Sequence, residues 1–272
     1  FTFTVLNDDI VNAFALPGGF VYISRGLLGL ANTEAELAGV LGHEIGHVTG
    51  RHSAQRHSQS VLAGIGTAGV SILSSVVLGT SAVGDAVGQG AGVYLQGFSR
   101  EHEFEADTLG VRYLSRTGYE TGAMASFLSS LEAFSALEAK VSGLPDPASR
   151  YNIMSTHPRT GDRVNAAARA ANVKPVANPK TGSREYLAAI DGVIFGDSED
   201  EGFVRGRRFI HEPANFMFEV PQGFALFNGA QQVAARGPDE SLILFSGGKI
   251  SHRGSMESYL TRVWAKNTSL AD

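Results

Sequence analysis

The chain has 272 residues, a formal net charge of −5 and no cysteine. That length can bury one substantial core, or one core with a small second domain. The negative balance and scattered basic residues argue against nucleic acid as a partner, and the missing cysteines exclude disulfides and thiol catalysis without fixing a compartment. The chain opens on Phe1 rather than methionine and reads as trimmed.

The first element is short. Asn12, Ala13, Phe14 and Ala15 are followed by Pro17-Gly18-Gly19, as in an edge strand that ends in a turn. With Val21, Tyr22 and Ile23 it makes a hairpin. Such an edge either serves structure alone or accepts an extended peptide as an added strand. Thr33 followed by Glu36 is then a capping box, and it opens a helix. Leu37, Val40, Leu41, Ile45 and Val48 recur at helical spacing and predict a buried apolar stripe. The same helix carries His43-Glu44-Ile45-Gly46-His47. One turn separates the two imidazoles, so both project from one face and can hold one zinc ion. Glu44 lies beside the open coordination position, placed to take a proton from metal-activated water. Five residues thus propose hydrolysis of an amide bond.

Zinc needs a third protein ligand. Metallopeptidases of the HExxHxxGxxH type would have a histidine at position 53, where this chain has Ser53. His52 is one residue off, about 100° of helix rotation. His52 and His57 therefore read as solvated residues at the helix end. Residues 57–84 carry no Asp, Glu, Lys or Arg. The stretch over 61–78 leaves three readings open: a lid-like helical hairpin beside the site, a segment touching the membrane surface within 58–98, or a membrane span near the lower length limit. Gly84, Gly88, Gly90, Gly92 and Gly97 suggest a mobile return. Ser99 then caps a helix that runs to Gly118. On it Glu103 and Asp107 are four apart and share a face. Glu103 is the candidate third ligand. Asp107 could accept the remaining ring N–H of a ligating histidine and fix its tautomer. Glu101 and Glu105 lie off that stripe and read as a solvated face.

Further helices are expected over 122–141 and 161–171, with a loop at Pro145 and Pro147 between them. Residues 174–183 read as a linker. Beyond it the pattern predicts a helix over 186–195, short strands at Phe209 and over 215–220, 224–227, 232–235 and 242–246, and a closing helix over 256–265. His211 and His252 stand alone there, and lone histidines are mostly structural. No repeating helical pairs are present. The fold class is α+β. A mainly helical zincin-type catalytic domain with a small edge-exposed sheet spans 1–173, and a small α+β domain of open role spans 184–272.

HEIGH, the Ser99–Asp107 run (SR-x-x-EFEAD) and Ser155-Thr156-His157-Pro158 with Arg163 behind it together resemble the membrane-associated gluzincin metallopeptidases. That group includes the CAAX-prenyl endopeptidase, the HtpX-type heat-shock proteases and the periplasmic BepA-type proteases. The similarity covers about 1–170 and is closest to the BepA-like branch. It implies one zinc per chain on His43, His47 and Glu103, with Glu44 as general base and Asp107 orienting a ligand. It places His157 near the metal, either stabilising an oxyanion or occupying the open zinc position in a self-inhibited state. A His-Pro pair alone is only a turn signal. Arg163 would donate to the site or to a neighbouring carboxylate. The similarity also supports substrate binding along Asn12–Ala15.

The resulting expectation is a zinc-dependent endopeptidase of the periplasm or cell envelope, with peripheral membrane association left open, acting on unfolded or misassembled proteins bound as extended strands. The alternative is a zinc-binding chaperone or assembly factor with little proteolytic activity. Oligomeric state is open.

Overall fold

The computed structural model describes residues 1–62, 97–142, 157, 161–173, 175–229, 232–238, 241–247 and 253–264. Most of the 61–78 stretch, Gly84 to Gly92, Pro145, Pro147 and His252 lie outside the described residues. No helix among the described residues is long and apolar enough to cross a membrane.

Three strands open the chain: β1 (Thr2–Leu6), β2 (Ala13–Leu16) and β3 (Phe20–Ser24), in the order β1-β3-β2. β3 is central, parallel to β1 and antiparallel to β2. The hairpin turn needs Gly18 and Gly19, whose φ of 97° and 83° are left-handed. β2 therefore forms one edge of the sheet, as its short length and following turn suggest. β1 has no counterpart among the elements expected from sequence. Phe1, Phe3 and Val5 are all exposed, so that strand lacks the one-sided burial that marks a strand in sequence.

Helix α1 (Arg25–Leu30) follows β3 directly, capped by Ser24. Helix α2 (Glu34–Thr49) starts at Thr33, whose hydroxyl accepts a hydrogen bond from Glu36 N at 3.0 Å. Only half of the expected capping box forms, because the Glu36 carboxylate accepts from Asn32 N at 2.7 Å. The apolar stripe is a second difference. Val40 is buried, but Leu37, Leu41, Ile45 and Val48 are half-buried, whereas Gly39, Gly42, His43, Gly46 and His47 are all buried. The deep face of α2 is its glycine and histidine face.

The reason is the packing of α2 against a second helix. After the short α3 (His52–Leu62), α4 (Arg100–Thr117) runs from a Ser99 cap to a left-handed Gly118 with φ 80°. It lies along α2 with small residues at the crossing. A Cβ built on Gly42 would stand 3.1 Å from Gly110 Cα, and one on Gly46 would stand 3.1 Å from Ala106 O and 3.2 Å from Ala106 Cα. These neighbours are backbone and cannot rotate away. The close approach puts His43 and His47 beside Glu103 and Asp107. Gly46→Ala is expected to lower stability by roughly 1–3 kcal/mol through overpacking, read as a lower urea midpoint, and to weaken zinc binding by prising the two helices apart.

Helices α5 (Ala123–Ser142) and α6 (Gly161–Val173) join the helical layer. Leu27, Val40, Phe127, Leu131 and Tyr186 form one core, and Val111, Leu114, Met124, Ala167 and Ala171 a second. The segment read as a linker is held down. Lys180 N donates to Gly118 O at 2.9 Å, and Ala35 N donates to Thr181 O at 3.0 Å.

α7 (Ser183–Ala189) is shorter than the helix expected over 186–195 and begins earlier. Two antiparallel meanders follow, β4 (Phe203–Arg205), β5 (Arg208–His211) and β6 (Phe216–Glu219), then β7 (Ala225–Asn228), β8 (Val233–Arg236) and β9 (Leu242–Phe245). β4 was not expected from sequence. α8 (Met256–Tyr259) passes into a π-helical turn at Leu260–Trp264. Arg25 ties this region to the first sheet: it donates to Asn7 Oδ1 at 2.8 Å and Ile194 O at 3.0 Å, and pairs with Glu201 Oε2 at 3.1 Å. A cavity of about 720 Å³ opens there between Val11, Phe134, Phe195 and Leu226, away from the histidines of α2.

Candidate metal centre

Four buried side chains from three places in the sequence converge: His43 and His47 of α2, Glu103 of α4, and His157 just before α6. One ligand atom from each lies within 4.8 Å of all the others. His43 Nε2 is 3.0 Å from His47 Nε2 and 3.1 Å from His157 Nδ1. Glu103 Oε1 is 3.0 Å from His157 Nδ1 and 3.3 Å from His47 Nε2. Glu44, also buried, stands next to this group, with Oε1 3.4 Å from His157 Nε2.

A further layer fixes these groups. His43 Nδ1 is 2.9 Å from Asp107 Oδ1. Arg163 grips Asp107 with two hydrogen bonds, from Nε to Oδ2 at 2.7 Å and from a terminal nitrogen to Oδ1 at 2.8 Å. Its other terminal nitrogen reaches Glu103 Oε2 at 2.7 Å. Arg163 thus bonds both a neighbouring carboxylate, Asp107, and a member of the converging group, Glu103. Asn12 and Ala13 are buried, with Asn12 O accepting from the Ser24 hydroxyl at 3.0 Å, while Phe14 and Ala15 are half-buried on β2, which packs against α2.

Electrostatics follow from this packing. Burial disfavours charge on Glu103, but His157, His47 and His43 outweigh it and hold the carboxyl far below the usual range. Burial likewise opposes the charged form of Asp107, yet the bonds from Arg163 and His43 bring its pKa down to about 2. Burial lowers His47 well below its ordinary value. Burial also works against His157, but the charges of Glu103 and Glu44 prevail and raise its pKa.

The donor set fits a divalent cation. Asp107, an acceptor at ionisation, draws the His43 proton to Nδ1 and leaves a lone pair on Nε2, facing the other three donors. Such lone pairs 3.0–3.1 Å apart repel unless a cation or proton lies among them. The three buried carboxylates of Glu44, Glu103 and Asp107 face the single guanidinium of Arg163. This excess of buried acidic groups over guanidinium favours a cation among them, whether a divalent metal ion or a proton on His157. Two imidazoles and a carboxylate are also a usual catalytic zinc set.

One expectation fails. His52 is fully buried, not solvated. Its Nδ1 is 2.9 Å from His47 Nδ1, and its ring stacks on His102 with centroids 4.4 Å apart. The His57 side chain lies outside the description. Phe98, also unforeseen, stacks on the His47 ring at 3.8 Å. The only sequence hint of either was position: one lies just past the Gly50 break, the other just before the Ser99 cap.

Residues 1–171 match Peptidase family M48. The chain belongs to peptidase family M48. Members of that family depend on zinc, in agreement with the donor set. The chain is 36% identical over 195 residues to the beta-barrel assembly-enhancing protease of Yersinia pestis, covering 70% of this chain and 38% of that protein. It is 33% identical over 178 residues to the protein of the same name from Escherichia coli K12, covering 63% and 34%. It is 36% identical over 117 residues to the mitochondrial metalloendopeptidase OMA1 of Arabidopsis thaliana, covering 43% and 22%. The chain thus spans about a third of the length of the first of these relatives.

For this M48 chain the depressed Asp107 pKa carries a stability consequence. The folded value, about 2, lies below the unfolded one, so its contribution is complete above about pH 4 and lost as pH falls towards 2. The shift corresponds to about 2 kcal/mol. Urea midpoints of the metal-free protein should fall between pH 5 and pH 2, and Asp107→Asn should flatten that slope.

Proposed function

We propose that the chain is a zinc endopeptidase whose metal is held by His43, His47 and Glu103, with Glu44 as general base. The convergence of those three side chains with His157 in one buried cluster, with Glu44 adjoining, carries this reading. Zinc bound there supplies Lewis acidity toward a carbonyl and a water. Glu44 takes the proton of the attacking water and delivers it to the departing amine. Asp107 holds the His43 proton on Nδ1, and Arg163 favours the ionised form of Asp107 while its other terminal nitrogen holds Glu103 in place.

His157 has a second role. It already contacts His43, Glu103 and Glu44, so it fills the place a substrate carbonyl must enter. We read it as a gate that self-inhibits the resting enzyme. Substrate approaches as an extended strand added to the outer edge of β2 along Asn12–Ala15, pairing with the outward backbone of Ala13 and Ala15, since Asn12 N and O already bond Ser24. The bacterial relatives are named for enhancing beta-barrel assembly; from that we infer unfolded or misassembled cell-envelope proteins as substrates and a periplasmic or envelope location for this chain.

Cleavage of casein by the zinc-loaded chain tests this. The activity should vanish with a zinc chelator and return with added zinc. His157→Ala should cleave faster than wild type if the residue gates, and slower if it stabilises an oxyanion. Absence of cleavage by both proteins would favour a zinc-binding assembly factor.

A further inference from the structure

The two histidines of α2 are not held alike. His43 is anchored at Nδ1 by the carboxylate of Asp107. Among the described residues no carboxylate meets His47 Nδ1; His52 does, at 2.9 Å. With Nε2 directed at the metal-facing group, His47 carries its proton on Nδ1, and that N–H needs an acceptor. His52 Nδ1 supplies one. Accepting there puts the His52 proton on Nε2, which is 3.4 Å from Glu105 Oε2.

The chain is bent to achieve this contact. α2 stops at Gly50, Arg51 takes a left-handed φ of 57°, and α3 begins at His52. A residue other than glycine rarely adopts that conformation, and it persists where surrounding structure requires it. The bend swings the His52 ring back under α2. A Cβ at position 50 would come within 2.5 Å of His52 Nε2, so Gly50 leaves the space the ring occupies. The ring is then fixed by its stack on His102, whose Nε2 is 3.0 Å from Gln55 Oε1.

We propose that His52 is a positioning residue for His47: it fixes that ligand's tautomer and ring orientation through Nδ1, and the Gly50–Arg51 bend exists to place it. This rests on the reading of His47 and Glu103 as metal ligands. Groups one step behind a metal ligand typically change metal affinity about 10–100-fold when removed.

Competition with a chromogenic chelator would measure zinc affinity in the full chain for wild type, His52→Ala, His52→Asn, His102→Ala and Glu103→Ala. His52→Ala should bind zinc about 10–100-fold more weakly. His52→Asn sets an amide oxygen near the lost Nδ1 and should recover most of the affinity. His102→Ala loosens the same buried stack but leaves the His47–His52 contact in place, and should weaken zinc less than His52→Ala does. If His102→Ala weakens zinc as much as His52→Ala, or His52→Asn recovers nothing, the effect is general packing and the proposal is overturned. If His52→Ala binds as wild type while Glu103→Ala does not, this inference alone fails. If Glu103→Ala also binds as wild type, the metal-site reading fails with it.

Discussion

Glu44→Gln should bind zinc as tightly as wild type and cleave casein about 10²–10⁴-fold more slowly, the range general acid–base catalysis contributes. The substitution is nearly isosteric at a position only 1% exposed, so the packing around α2 is kept. The amide still offers an oxygen but cannot accept a proton at neutral pH. Glu44 is not among the side chains that converge as ligands, which is why affinity and rate should separate. Equal cleavage by both proteins would remove Glu44 as the base.

Arg163→Met should be the most destabilising single change at the site. Arg163 is buried and bonds two buried carboxylates, Asp107 through a two-point fork and Glu103 through its remaining nitrogen. Methionine fills part of the volume but leaves both carboxylates without their cation. Breaking a buried pair from one side costs about 3–5 kcal/mol. Arg163→Lys keeps the charge but not the planar fork, so one ammonium cannot match both carboxylates and should recover only part of the loss. Urea unfolding of the metal-free protein measures this directly. Zinc should restore some stability to Arg163→Met, because a divalent cation beside Glu103 replaces part of the missing positive charge. A change below about 1 kcal/mol, as typical of an exposed pair, would show that the three-way contact contributes little.

The centre was legible wherever its logic is local to a helix. His43, Glu44 and His47 share one α2 turn, and Glu103 and Asp107 one α4 stripe; the Ser99 cap and Gly118 stop fixed the second helix from sequence. What was not legible depends on chain reversal or contact between distant segments. His52 was placed in solvent because continuing α2 without a break points it outward; the left-handed Arg51 reverses it, and nothing in a hydrophobic period signals that bend. The buried face of α2 was misjudged for a related reason. Glycines carry no hydrophobic signal, yet Gly39, Gly42 and Gly46 form the face that meets α4. β1 escaped notice because its exposed residues gain their register only from pairing with β3. His157 was brought in by resemblance, since a His-Pro pair carries no metal signature of its own.

The most direct test of the metal centre is anomalous diffraction at the zinc edge from crystals of the zinc-loaded chain. The expected result is one peak per chain, within bonding distance of His43 Nε2, His47 Nε2 and a Glu103 oxygen. A peak bound elsewhere, for instance at His52 and His102, or no peak from protein that still cleaves casein, would contradict it.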